Sequence, residues 1–590
     1  MTSSTAPNAI VGTLALLLST LACWFVVEAK ETTPSHPTIE RFDRSLAERT
    51  DSSDERRSDD AWISFSEMPV VCGSCHSTGD QPYIGDDPGH LLNQRMTISR
   101  AEWAGDLDVK GNCGGCHLLV DPNAIDKRRW TDVISHMKVV FSMKKWPVKL
   151  QDSVWIDLLH YYATGASNFA VLPPDPVVSG LSFAVHPIGY PPQRPNFPRI
   201  SNVRVTDLDR DDAPDILVSD MLTKSLSWIR MVDTVWVEKY LHIGGVPAKA
   251  EPVDMNGDGH LDIIYAVIGE PMPTDDRVGS IELLMNDGTM KFTSHTILDS
   301  VGRVADARPA DFDGDGDIDI VVAVFGFMLT GEVGWLEQKD DGEFDYHRLI
   351  RKAGGIHVIP TDINGDGLLD IIALVAQEHE EIIALMNEGE REFEQKLIYK
   401  AFSPSYGFSG IDLADLDGDG DLDIIASNGD AVDVPSGMIL PYHGVQWLEN
   451  LGDMSYKHHS IFGFYGAYRA LPGDLDGDGD LDIAVITMLT EWFDPTRMSA
   501  IWLENDGTTH FTPHGISNTP SYLMTADLGD LDGDGDLDMV TGGMHILSDP
   551  FQRIGRVTMF ENKGKMERES EMGEGSREWG VGRREWVGGK

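Results

Sequence analysis

Asp474-Leu-Asp476-Gly-Asp478-Gly-Asp-Leu-Asp482 is the stretch on which the fold of this chain turns. Acidic side chains stand at positions 1, 3, 5 and 9, with glycine at 4 and 6. Glycine permits the positive φ values of a tight turn. The pattern occurs seven times, starting at residues 207, 254, 311, 362, 415, 474 and 530, roughly 50 residues apart. The oxygen-bearing positions are Asp207, Asp209, Asp211 and Asp215; Asp254, Asn256, Asp258 and Asp262; Asp311, Asp313, Asp315 and Asp319; Asp362, Asn364, Asp366 and Asp370; Asp415, Asp417, Asp419 and Asp423; Asp474, Asp476, Asp478 and Asp482; and Asp530, Asp532, Asp534 and Asp538.

Each copy has the same neighbours. A short apolar segment precedes the loop, and a β-rich run such as Ile263-Ile-Tyr-Ala-Val267 follows it. Next come an aromatic-centred strand ending in a turn, such as Trp447-Leu-Glu-Asn450, and a strand like Phe292-Thr-Ser-His-Thr-Ile297. Four short strands per repeat make one blade of a β-propeller, so seven copies predict seven blades over 178–565. The last blade lacks its fourth strand after Val557–Asn562, while an unclaimed copy, Phe183-Ala-Val-His-Pro-Ile188, precedes the first loop. These two are expected to pair and close the ring, which removes exposed sheet edges.

Oxygens converging from positions 1, 3, 5 and 9 suit Ca²⁺, bound by carboxylates and carbonyls at about 2.3–2.6 Å. The competing reading is a solvated acidic turn, since Asp and Gly also build hairpins without metal. Seven copies with identical offsets favour calcium, up to seven ions. The first copy departs, with Arg210 and Asp212 in the glycine positions and Pro214 following. The overall balance is acidic, 96 Asp+Glu against 47 Lys+Arg for a net charge of −49, which argues against a nucleic-acid partner.

The five cysteines give a second signature. Cys23 lies in an apolar run; the others form Cys72-Gly-Ser-Cys75-His76 and Cys113-Gly-Gly-Cys116-His117. Two thiols on one helical turn can form thioethers with the vinyl groups of one haem, and the following histidine then ligates the iron. Two covalent haems c are therefore expected. The rivals are a zinc site, a thioredoxin-like pair or disulfides; none of them requires a histidine directly after each pair. Met96 and Met137 stand at the same offset from His76 and His117, 20 residues in each case, and are the expected distal ligands. Their substitutes are Met68, His90, His136 and Met143, and the alternative is that both methionines are core residues.

The remaining segments are organised around these two parts. Ile10–Val27 is apolar and Val27-Glu28-Ala29 suits cleavage before Lys30, so 1–29 reads as a signal peptide or membrane anchor. Residues 30–61 read as a polar linker, 62–170 as a mostly α dihaem domain, and 566–590 as a disordered tail. Pro173-Pro174-Asp175-Pro176 makes a stiff boundary. The expected architecture is thus multidomain, a small mostly α cytochrome domain followed by an all-β seven-bladed propeller.

The loops resemble the FG-GAP or VCBS repeats of integrin α-chain-like propellers, and the segment from Cys113 through Asp121-Pro122 and Trp130 to Met137 resembles a c-type cytochrome module. The resemblance implies structural calcium, binding loops on one propeller face, haem c, electron transfer and an extracytoplasmic location, in the periplasm or at the cell surface. It implies a redox partner protein, and a protein or polysaccharide ligand for the propeller. On this reading the chain carries electrons rather than catalysing a reaction. Two alternatives stay open: a propeller-based oxidoreductase draining electrons to the haems, and an adhesion protein with a haem sensor domain.

Overall fold

The second strand of every repeat is six residues long, opens on the loop's last aspartate, continues into a mainly apolar run as in Asp319–Val324, and is buried at every position. Burial on both faces is why these strands lack the polar alternation of a half-exposed sheet. The computed structural model describes residues 152–165 and 174–566, together with Trp130, Ile134 and Lys138. Short stretches at 193–196, 328, 340–341, 378, 404–405, 432–439, 441, 489–493 and 546–551 are not included.

The strands form seven four-stranded antiparallel sheets. Blades 1 to 6 use consecutive strands over 200–243, 247–301, 304–350, 355–400, 408–463 and 467–517. Blade 7 takes three strands from 523–565, and its outermost strand is Leu181–Ile188. That strand pairs antiparallel with Val557–Lys565, setting Ile188 opposite Val557 and Phe183 opposite Asn562. The closure expected from the sequence is therefore present, and the innermost strands contact one another around the full ring.

The core is distributed rather than central. Seven hydrophobic clusters each join two neighbouring blades; Ile188, Ile200, Ile216, Val540 and Met559, for example, join blade 7 to blade 1. Charged residues of the innermost strands pair across blades in a belt around the axis. Arg204 meets Glu251 at 3.1 Å and Asp527 at 3.6 Å, and Lys249 meets Asp306 at 2.8 Å. Arg308 binds Asp306 and Glu251, both at 3.1 Å, and Arg469 binds Asp412 at 3.2 Å. His357 is buried in this belt, and burial together with Lys249, Arg469 and Arg308 holds its pKa well below the usual value.

Two further features bear on function. The aspartate loops join first to second strands, so all seven lie on one side of the ring, with the third-to-fourth-strand turns. The second-to-third-strand connections lie on the opposite side. Upstream, Asp152–Gly165 forms a helix, Trp130, Ile134 and Lys138 are helical, and Trp130 stacks on Tyr162 at 4.1 Å. Cys72, Cys75, His76, Met96, Cys113, Cys116, His117 and Met137 lie outside the described residues, as do the leader, the linker and residues 567–590.

Candidate functional site: the seven aspartate loops

Each loop begins by anchoring itself. Position 2 is apolar, and Leu208, Met255, Phe312, Leu416, Leu475 and Leu531 are buried there. Position 9 opens the second strand and is buried in all seven blades. Its Oδ2 accepts the backbone N–H of position 2 in every blade, at 2.9 to 3.3 Å. In blades 2 to 7 its Oδ1 accepts the N–H of Asn286, Gln338, Asn387, Asn450, Asn505 or Asn562, at the end of the third strand.

The exposed part of the loop repeats as faithfully. The position 1 carboxylate accepts the N–H of position 6 in all seven copies. The position 5 carboxylate accepts the N–H of position 7 in all seven. These bonds need positive φ at positions 4 and 6, and Gly477 and Gly479 show 73° and 100°. A Cβ on either glycine would meet nothing within 4 Å, so backbone conformation and not space selects glycine there. The first loop departs in sequence yet keeps the conformation, with Arg210 at φ 58° and Asp212 at 66°.

Five of the loops gather enough carboxylate oxygens to hold a cation. One carboxylate oxygen from each of three side chains falls within 4.8 Å of the others in five blades: Asp207, Asp209 and Asp215; Asp311, Asp313 and Asp315; Asp415, Asp417 and Asp419; Asp474, Asp476 and Asp482; and Asp530, Asp532 and Asp538. In blades 2 and 4 the position 3 residue is Asn, and its Nδ2 donates to Asp258 or Asp366. One oxygen each of Asp209 and Asp415 is buried without a hydrogen-bond partner, whereas the buried Asp476 Oδ2 faces Lys565 Nζ at 3.0 Å. Burial, augmented by the loop's other carboxylates, pushes Asp482 up to about 7 and Asp319, Asp423 and Asp538 up to about 6. Asp215 rises to about 6 through burial and its acidic neighbours, and Asp262 and Asp370 rise for the same reasons. A divalent ion would oppose that shift by favouring the charged carboxylates.

Two sets of residues were not singled out from the sequence. The third-strand asparagines Asn286, Asn387, Asn450, Asn505 and Asn562 lock the loop's far end. Each donates Nδ2 to the carbonyl of position 8 and accepts a turn glycine N–H. Glu337, Glu449, Glu504 and Glu561, also on third strands, each bind a fourth-strand histidine: His347 at 2.7 Å, His459 at 2.6 Å, His514 at 2.7 Å and His186 at 2.9 Å. The recurring Trp-Leu-Glu-Asn signature contained both.

Residues 254–322, 362–426 and 474–541 match the model of an FG-GAP-like repeat. FG-GAP repeats are therefore present, and the loops of blades 2 to 7 fall inside the matched segments, whereas the loop of blade 1 lies outside them. No curated protein matches. Among solved structures, crystal structures of BBS1N in complex with ARL6DN are similar at 10% identity. The mercury- and lead-soaked forms give TM-scores of 0.41 and 0.40, each covering 66% of this chain and 100% of the other. An ancestral GH74 enzyme is similar at 11% identity and TM-score 0.34, with 49% of this chain and 40% of that chain covered.

Proposed function

We propose that the chain is an exported dihaem c-type cytochrome whose calcium-braced FG-GAP propeller is the docking platform for a redox partner. The observation that carries the electron-transfer half is the tandem Cys72-Gly-Ser-Cys75-His76 and Cys113-Gly-Gly-Cys116-His117, each with a methionine at the same downstream offset. Bound haem c supplies one-electron transfer at an iron held by protein side chains. The four cysteines would attach the porphyrins, His76 and His117 would ligate from one side, and Met96 and Met137 from the other. The helical core formed by Trp130, Ile134, Leu158 and Tyr162 downstream of the second motif is compatible with a small α domain there.

The platform half rests on the propeller itself. Its aspartate loops are constant in length and bonding, and suit a bracing role filled by Ca²⁺. The second-to-third-strand connections run from 221–224 in blade 1 to 429–443 in blade 5, and loops that vary on a rigid scaffold carry recognition. The chain enters the propeller on that variable side. Asp175 pairs with Arg497 at 2.9 Å and accepts the N–H of Met498, both in the blade 6 connection. The apolar N-terminal run supports an extracytoplasmic location, where haem attachment would require both cysteine pairs as reduced thiols, with the protein cleaved free or anchored by residues 1–29.

The test is a pyridine haemochrome assay on protein exported with the cytochrome c maturation machinery. Two haems per chain are expected, and one or none rejects the reading.

A further inference from the structure

The seven loops share a backbone but not a charge environment. In each blade one third-strand residue pairs with the third residue of the second strand: Trp228 with Leu217, Leu283 with Ile264, Trp335 with Val321, Ala384 with Ile372, Trp447 with Ile425, Trp502 with Ala484 and Met559 with Val540. Two residues further on stands the side chain next to the loop's position 3. In blades 3, 5, 6 and 7 it is Glu, and position 3 is Asp. In blades 2 and 4 it is Met285 or Met386, and position 3 is Asn. Blade 1 alone sets a cation there, Arg230, against Asp209.

That arginine is part-exposed yet held at the loop by two contacts. Its guanidinium lies 2.9 Å from Asp209 Oδ2 and 4.6 Å from the centre of the Trp228 ring, on the strand that carries both residues. A second arginine, Arg210, occupies a glycine position of the same loop and reaches Asp254 at 3.7 Å. Basic side chains approach position 3 elsewhere, as Arg391 does Asp313, Lys565 does Asp476 and Lys563 does Asp532. Arg391 and Lys563 also bind the neighbouring Glu337 and Glu561, and Lys565 feels the charge of Glu504. Blades 6 and 7 therefore keep a surplus carboxylate, whereas in blade 3 Lys339 joins Arg391 on Glu337 and balances the pair. Blade 1 has none, because its glutamate position is itself the cation.

We propose that blade 1 holds no calcium: Arg230 is its resident cation, and the chain binds six ions rather than seven. The inference rests on the calcium reading of the other loops. The counter-observations are Asp209 Oδ1, which is buried without a partner, and the Asp207, Asp209 and Asp215 oxygens, which gather within 4.8 Å. Charge decides against an ion there, because the cation on Asp209 stands in the very place where blades 3, 5, 6 and 7 add a glutamate. The loop's unbroken turn at Arg210 and Asp212 also shows that the fold there does not depend on glycine.

The test is equilibrium dialysis of the full chain against radioactive calcium at saturating free ion, with folding checked by a thermal melt. The parent is expected to bind six ions per chain. Arg230→Glu, which installs the residue of blades 3, 5, 6 and 7, is expected to bind seven, as is Arg230→Met should the glutamate variant fail to fold. Seven ions in the parent, or six in both folded variants, overturns the proposal. An absence of bound calcium overturns the calcium reading itself, and the proposal falls with it.

Discussion

The two sides of the ring obey different rules. On the aspartate side, seven loops of equal length repeat the same side-chain-to-backbone bonds, from Asp212 N–H to Asp207 in blade 1 to Gly535 N–H to Asp530 in blade 7. On the other side no two second-to-third-strand connections have the same length, and the contacts among the described residues include individual ion pairs and aromatic clusters. Tyr406 stacks on Tyr442 at 5.7 Å, and His443 stacks on Tyr465 at 5.3 Å. Repetition therefore belongs to the side that organises backbone, and variation to the side available for recognition. If this division is right, damage on the variable side should be local in origin but large where it breaks the closure. Damage on the repeated side should depend on loop position and not on blade.

The largest effect is expected at the closure. Arg556, just ahead of the third strand of blade 7, binds Glu238 of blade 1 through two nitrogens at 2.8 and 2.9 Å, and Asp220 of blade 1 at 3.2 Å. All three are buried, and Glu238 also accepts N–H of Tyr190, where the chain leaves the closing strand. Arg556→Ala strands two buried carboxylates, so a loss of about 3–5 kcal/mol is expected in denaturant melts. A loss below about 1 kcal/mol would show that the clamp is dispensable and that strand pairing alone closes the ring.

The next effect separates positions within a loop. Asp482→Ala leaves the buried N–H groups of Leu475 and Asn505 without acceptors, at about 1–3 kcal/mol each. Asp478→Ala removes only an exposed bond to the Asp480 N–H, worth about 1 kcal/mol. Both are to be measured with chelator present, so that only the backbone role is read. Equal losses would contradict the assignment of position 9 as the structural joint. The same pair of substitutions in blade 5, at Asp423 and Asp419, should give the same ordering.

The sequence made the repeated side legible almost completely. Loop offsets, strand order and even the displaced closing strand follow from local patterns, because strand pairing in blades 1 to 6 stays within one repeat. The axial belt was not legible. Lys249 and Glu251, or Asp306 and Arg308, look like ordinary solvent-facing residues of an alternating strand; only the ring brings Arg308 to Glu251 of the next blade. Arg230 was hidden for a related reason. Its replacement of a glutamate is visible once Trp228-Ile-Arg230 is set in register with Trp447-Leu-Glu449, yet its meaning requires knowing that Asp209 lies beside it. The haem motifs are the opposite case, since their reading depends on residue spacing alone.

A pH dependence, smaller than the closure effect, is expected from buried histidines such as His443 on the variable side. Burial alone drives His443 down to about 3, with both ring nitrogens unpartnered among aromatic neighbours. His458, stacked on Tyr399, is held at about 4, mainly by burial and also by the charge of neighbouring His459. A histidine whose pKa is lower folded than unfolded is protonated first in the unfolded chain. Its contribution is therefore neutral above pH about 6.5 and destabilising as the pH falls through that value. By pH 5 each such histidine should cost about 2 kcal/mol. The difference in stability between parent and His443→Phe, measured at pH 7.5 and again at pH 5, isolates the term from the titration of the aspartate loops. The variant should lose about 2 kcal/mol less than the parent over that interval. Equal losses would mean that His443 reaches solvent or a proton acceptor at low pH, and that the variable side opens there.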